Sequence, residues 1–108
     1  MNEGFNKEEA KNHLLAREAE EKNRQEDERK RLLEKTIQVL KGEFHHSKTE
    51  AYLVGSIIQP FSFSSSSDID IVLRNFKGDR FDLWTKLEDK IGRAVEIILF
   101  ETCHFQEY

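Results

Sequence analysis

Apolar residues are spread unevenly along the chain: there are none from Glu20 to Arg31, and they concentrate between Leu32 and Phe105. The polar first third still predicts a helix. Asn6 followed by Glu9 offers an N-cap with the spacing of a capping box, and no Gly or Pro interrupts Lys7 to Lys41. Acid precedes base by four positions at Glu18–Lys22, Glu20–Arg24, Glu26–Lys30 and Asp27–Arg31. Each such pair adds about 0.2–0.5 kcal/mol to an exposed helix. The pairs favour helix but give it nothing to pack against, so the run reads as a solvated face. At Leu32 the character changes. Leu33, Ile37, Leu40 and Phe44 recur at helical spacing, and Leu32 and Val39 widen the stripe, which should lie on a globular core. Gly42 is the expected stop.

Beyond the helix, Glu50 to Val54 reads as a short strand ending at Gly55-Ser56. Ile57 to Ser67 begins apolar, holds the only proline, Pro60, and runs into the serines Ser64 to Ser67; a helical turn followed by a flexible loop is expected. Asp68 to Leu73 alternates as Asp-Ile-Asp-Ile-Val-Leu, a strand with two unlike faces. Asn75 to Gly78 forms a turn, and Asp79 caps a helix that carries Phe81, Trp84, Leu87 and Ile91 and closes at Gly92. Ala94 to Phe100 is the third strand. The order helix, strand, loop, strand, helix, strand predicts an α+β fold, with a charged helical extension over residues 1–31 and a globular domain over residues 32–108.

At 108 residues there is room for one small domain. The formal net charge of −4 argues against general nucleic-acid binding by a basic surface. Cys103 is the sole cysteine, which excludes an intrachain disulfide and a cysteine zinc cluster. No apolar run approaches the roughly 20 residues that span a bilayer, and the N-terminus lacks the apolar stretch of a signal peptide, so a cytoplasmic setting is expected. His45 and His46, being adjacent, are expected to point in different directions and to make a poor metal pair; His104 with Cys103 makes no zinc site. Trp84 sits at core spacing and reads as packing.

The chemistry concentrates elsewhere. Residues two apart in a strand share a face, so Asp68 and Asp70 should project side by side while Ile69, Ile71 and Leu73 face the core. Unpaired adjacent carboxylates repel, and a hard divalent cation relieves this by accepting oxygen ligands from both. Gly55 would let backbone amides approach an anion, and Ser56 would add a hydroxyl donor. Glu96 lies within the otherwise apolar Val95 to Phe100. There it either occupies an edge or serves a purpose, since a buried carboxylate needs a partner or a metal. If its strand neighbours that of Asp68, Glu96 becomes the third carboxylate of one cluster.

Gly55-Ser56, a loop, Ser67-Asp68-Ile69-Asp70-Ile71 and a later acid in an apolar strand together resemble the polymerase-beta-like nucleotidyltransferase superfamily. The small size resembles its minimal branch, whose members often act as antitoxins beside helical HEPN-domain toxins. The resemblance covers Leu32 to Phe100. It implies a small mixed sheet with helices on one face, preceded here by the long charged helix. It also implies that Gly55 and Ser56 hold a triphosphate tail and that Asp68 and Asp70 ligate two magnesium ions. Glu96 would ligate the ion that activates the attacking hydroxyl. Ser67, beside Asp68, is a further candidate for phosphate contact. The implied activity is transfer of AMP from ATP to a hydroxyl, a tyrosine on a partner HEPN toxin, by an antitoxin that silences it. Three departures stand out. Ile57, Ile58 and Gln59 occupy positions where the family carries basic residues, the interval from Ser56 to Asp68 is about one residue longer than usual, and Glu96 replaces an aspartate. Arg74, Lys77, Arg80 or Lys86 are the candidates to supply the missing charge. The departures leave open a second expectation, a catalytically weak or inactive module that neutralises its partner by covering it. The length of the N-terminal helix, on the order of 50 Å at ~1.5 Å per residue, suggests contact with another chain, whether that partner or a second copy.

Overall fold

The computed structural model describes residues 7–102. The expected N-cap at Asn6, the pair Cys103–His104 and the C-terminal end of the expected domain lie outside the described residues. Helix α1 runs without interruption over Lys7–Glu43, strand β1 over Glu50–Val54, and a 3-10 turn over Gly55–Ile58. Strand β2 (Ile69–Arg74), helix α2 (Arg80–Ile91) and strand β3 (Val95–Leu99) follow, with a second 3-10 turn at Phe100–Thr102. The architecture is α+β: a long N-terminal helix and a three-stranded mixed sheet of order β1-β2-β3, with β2 antiparallel to β1 and parallel to β3.

Strand alternation divides the sheet into two faces. Ile69, Ile71 and Leu73 of β2 are fully buried, and Val95 and Ile97 of β3 join them on the same face. Against that face α2 turns Leu83, Leu87 and Ile91, spaced four apart on one helical stripe. Burying each such side chain contributes about 1.5–3 kcal/mol. Leu40 of α1 completes the cluster, with Leu32, Leu33, Val39 and Phe44 packed at its margin. Both helices thus cover one face. The opposite face carries Tyr52, Val54, Asp70, Val72, Glu96 and Ile98.

Local signals explain the element ends. The Asp79 carboxylate accepts hydrogen bonds from the backbone N–H groups of Phe81 and Asp82, at 2.9 and 3.2 Å, as expected of an N-cap. Gly92 ends α2 in the left-handed conformation at φ 77°. Gly42 does not end α1, which passes through it to Glu43. In α2, Leu83 rather than Phe81 occupies the core; Phe81 is 69% exposed.

The charged run is not wholly solvated. Glu26 and Arg29 are buried, and with Leu33, Thr36 and Leu40 they form one continuous stripe at helical spacing. Arg29 donates to both Glu26 carboxylate oxygens, at 2.8 and 2.6 Å. Its third bond goes to the Ile57 carbonyl at 2.8 Å. Glu26 in turn accepts from the Phe61 backbone N–H at 2.8 Å. Phe61 has φ 62°, a region unfavourable to a bulky side chain, and that hydrogen bond helps hold it there. The packing of α1 therefore begins at Glu26, with Glu26 paired to Arg29 rather than to Lys30. Nearer the start of the helix, Arg24 pairs with Glu21 rather than with Glu20.

Candidate functional site

Strand pairing sets Val54 opposite Asp70 and Asp70 opposite Glu96. Because paired residues point the same way, Asp70 and Glu96 stand side by side on the face that the helices leave open. The condition set for Glu96, that its strand neighbour the one expected over Asp68 to Leu73, is met: β3 pairs directly with β2. Asp68 lies one residue ahead of β2 rather than within it, and its side chain is exposed. Burial, the charge of Glu96 with a hydrogen bond shared with it, and then the charge of Asp68 hold the Asp70 carboxyl above the ordinary carboxylate range.

Gly55 closes the site from the β1 side. It takes φ 79°, and a Cβ added to it would stand 2.5 Å from Asp70 Oδ2. The left-handed conformation favours glycine, and any larger residue here would also require the Asp70 carboxylate to shift. Ser56 and Ile57 continue into the 3-10 turn. Ile57 is fully buried in the core, so the position where the resembled family carries a cation is turned inward. Arg29 grips the Ile57 carbonyl from behind, tying the turn to α1.

The serine loop is held more firmly than its composition suggests. Ser67 Oγ accepts from the Ser64 backbone N–H at 3.0 Å. Arg93 donates to the carbonyls of Ser64 and Ser67 and lies 4.5 Å over the Phe63 ring. The Ser67 hydroxyl therefore serves the loop in this conformation. Arg93 carried no sequence signal; the residues it joins lie 26 and 29 positions away.

Of the four candidate cations, Lys86 pairs with Glu43 at 3.3 Å and Arg74 lies over the Phe100 ring. Lys77 lines a separate depression with Phe44 and Phe76. Arg80 alone of the four shares a cleft with Asp68 and Glu96. That cleft, about 630 Å³, runs along the outer edge of β3 and is walled by Phe81 and Trp84 of α2. Arg80 donates to the Ile97 carbonyl at 2.6 Å and the Trp84 indole to the Val95 carbonyl at 2.8 Å. These bonds cover backbone acceptors that an edge strand would otherwise present to solvent. Trp84 packs at the margin of the core as expected, but it also faces this cleft. His45 and His46, expected to diverge, bring their rings together at 4.1 Å.

The donor set is one of hard carboxylate oxygens, which suits magnesium better than a softer metal. Asp70 and Glu96 are the pair that an ion could share, and neutralising them would offset the cost that raises the Asp70 pKa. Among the described residues, no three acidic, histidine or cysteine side chains converge on a single ion position. Asp68 would join the pair only by turning its exposed side chain. No helix among the described residues is long and apolar enough to cross a membrane. Compared with protein-family models, curated proteins and solved structures, the chain matches none.

Proposed function

We propose that this chain is a magnesium-dependent nucleotidyltransferase of polymerase-beta-like fold, transferring AMP from ATP to a hydroxyl of a partner protein. The resemblance supplies the partner, a HEPN-domain toxin acceptor tyrosine, and the setting, a cytoplasmic toxin–antitoxin pair. The observation that carries the reading is the meeting of Gly55, Asp70 and Glu96: a glycine that leaves space at Asp70 Oδ2, beside two carboxylates in register.

In this reading Gly55 and Ser56 hold the triphosphate tail, while Asp68, Asp70 and Glu96 hold the metal. When bound, two magnesium ions would neutralise charge on the attacking and leaving oxygens of an in-line displacement. Glu96 takes the proton of the acceptor hydroxyl as its oxygen bonds to the α-phosphorus. The bond from that phosphorus to the bridging oxygen breaks, and pyrophosphate leaves with the electron pair. Positioning and electrostatics account for most of the catalysis, so few protein groups are required.

A second reading, a binding module with a degenerate nucleotide site, draws on the inward-facing Ile57. One experiment separates the two. Labelled ATP, magnesium and the product of the neighbouring gene are incubated with the chain, then with Asp68→Asn and Asp70→Asn. Label transfer abolished by both substitutions supports the enzyme. Mutants that still neutralise the partner, with no label moving in any sample, support the module.

A further inference from the structure

The two edges of the sheet are treated unequally. The bond from the Ile69 N–H to the Ala94 carbonyl fixes which way each residue of β2 bonds: Ile69, Ile71 and Leu73 toward β3, and Asp70, Val72 and Arg74 toward β1. The outward groups of β3 therefore belong to Val95, Ile97 and Leu99, and side chains cover most of them. Glu88 accepts from the Val95 N–H at 2.9 Å, Trp84 and Arg80 donate to the Val95 and Ile97 carbonyls, and Thr102 donates to the Leu99 carbonyl at 3.1 Å. On β1 the outward N–H and C=O groups belong to Ala51 and Leu53, and among the described residues nothing bonds to them. An edge left open in this way is a template for another strand. It carries no proline and one charge, Glu50. Beside it, on the helix-covered face, an apolar groove of about 560 Å³ separates Leu33, Ile37 and Phe44 of α1 from Ala51 and Leu53 of β1. Ile58, at its border, is 47% exposed.

This edge is complementary to itself. Two β1 strands running antiparallel about a twofold axis at Tyr52 set Ala51 of each opposite Leu53 of the other, and each such pair exchanges two N–H to C=O bonds. All the outward groups of Ala51 and Leu53 are then satisfied. Glu50 falls opposite Val54 of the second copy, so like charges do not face each other. The groove adds a second match. Its α1 wall is centred near Ile37, with the exposed Glu34 and Lys41 to either side, two turns apart and so on one side of the helix. The same axis runs the two helices antiparallel and brings Glu34 of each copy toward Lys41 of the other. We infer that the β1 edge is the interface with a second copy of this chain. It joins two sheets into one of six strands, with both Asp70–Glu96 pairs on one face and both α1 helices on the other. This inference stands independently of the nucleotidyltransferase reading.

Sedimentation velocity of the full chain, in a dilution series up to about 1 mM where even a weak dimer is populated, should show a monomer–dimer equilibrium. Ala51→Pro removes one outward N–H per copy and spares the bonds to β2, which Glu50, Tyr52 and Val54 make. It should raise Kd about 5- to 150-fold, the range for two lost hydrogen bonds. Glu34→Lys alone should raise Kd about two- to thirtyfold, the range for two exposed ion pairs, and adding Lys41→Glu should restore it. Unchanged far-UV circular dichroism shows that each variant folds. Oxidation in a Cys103→Ser background reads the register. Tyr52→Cys sets two thiols across the axis with Cα atoms about 4.5 Å apart, within disulfide reach, whereas Glu50→Cys sets them about 13 Å apart along the strands. Disulfide-linked dimers should form from the first and not from the second. A chain that stays monomeric throughout the series overturns the inference, and slow amide exchange at Ala51 and Leu53 in that monomer would assign the edge to another segment of the same chain. A dimer that tolerates Ala51→Pro, or one that cross-links equally at both positions, overturns it as well.

Discussion

Gly55→Ala tests the geometry on which the site depends. Two costs add. At φ 79° an alanine enters the left-handed region, which costs about 1–2 kcal/mol relative to glycine. Its Cβ would also stand 2.5 Å from Asp70 Oδ2, whereas a close carbon–oxygen contact is about 3.3 Å. The carboxylate must retreat by about 0.8 Å, and forcing it off its rotamer costs about 0.5–1.5 kcal/mol. The total is about 1.5–3.5 kcal/mol, or roughly 6–28 °C in Tm for a domain of this size. Thermal unfolding of four proteins measures it: wild type, Gly55→Ala, Asp70→Ala and the double variant. In the Asp70→Ala background the steric part disappears, so Gly55→Ala should cost about 0.5–1.5 kcal/mol less than in wild type. If Gly55→Ala costs the same in both backgrounds, Asp70 does not lie against Gly55 and the reasoning is refuted.

Two pH experiments follow from the perturbed carboxylates. The folded-state pKa of Asp70 is raised, so the native state binds more protons and stability falls as pH rises from the unfolded pKa through the folded one. Asp70→Asn should therefore raise Tm near neutral pH without divalent cations, with the gain vanishing as the solution is acidified; an unchanged or lower Tm at neutrality would contradict it. Glu26 behaves oppositely. Its bonds from Arg29 and from the Phe61 backbone hold its pKa down to about 2, so its contribution is present above the ordinary carboxylate range and is lost as pH falls toward 2. The Tm difference between wild type and Glu26→Gln should be largest at neutral pH and shrink below about pH 4; a constant difference would refute the assignment. Titrating magnesium against Tm in wild type and Asp70→Asn gives a third check. Wild type should gain about 1.4 kcal/mol for each tenfold excess over the dissociation constant, and the variant markedly less.

Local rules made much of the molecule legible. Strand β1 occupies the span expected of it, and the cap at Asp79 and the stop at Gly92 are local features decided within a few residues. Strands β2 and β3 shifted only at their ends. The triad Gly55, Asp70 and Glu96 was legible too, because each residue breaks the pattern around it: a glycine at a strand end, and acids in apolar strands. Their mutual contact was not. It depends on β3 pairing with β2 in one register, and a slip of one residue would have sent Glu96 into the core.

The illegible parts share a physical cause. Glu26 and Arg29 looked like two more charges on a solvated helix because the groups that satisfy them come from Ile57 and Phe61, 28 and 35 positions away. Phe81 and Leu83 are both apolar, and only the direction in which α2 meets the sheet decided which one is buried. Arg80 and Trp84 reach around the edge of β3, a position that exists only once the strand order is set. Sequence by itself determined where the helices and strands form, the cap at Asp79 and the acids that interrupt the apolar strands, since backbone preferences and side-chain alternation act over a few residues. Tertiary structure alone decided that Gly55 lies against Asp70, that Asp70 stands beside Glu96 and that an aromatic cleft opens at the β3 flank. Those are contacts across the sheet, and strand order and register create them.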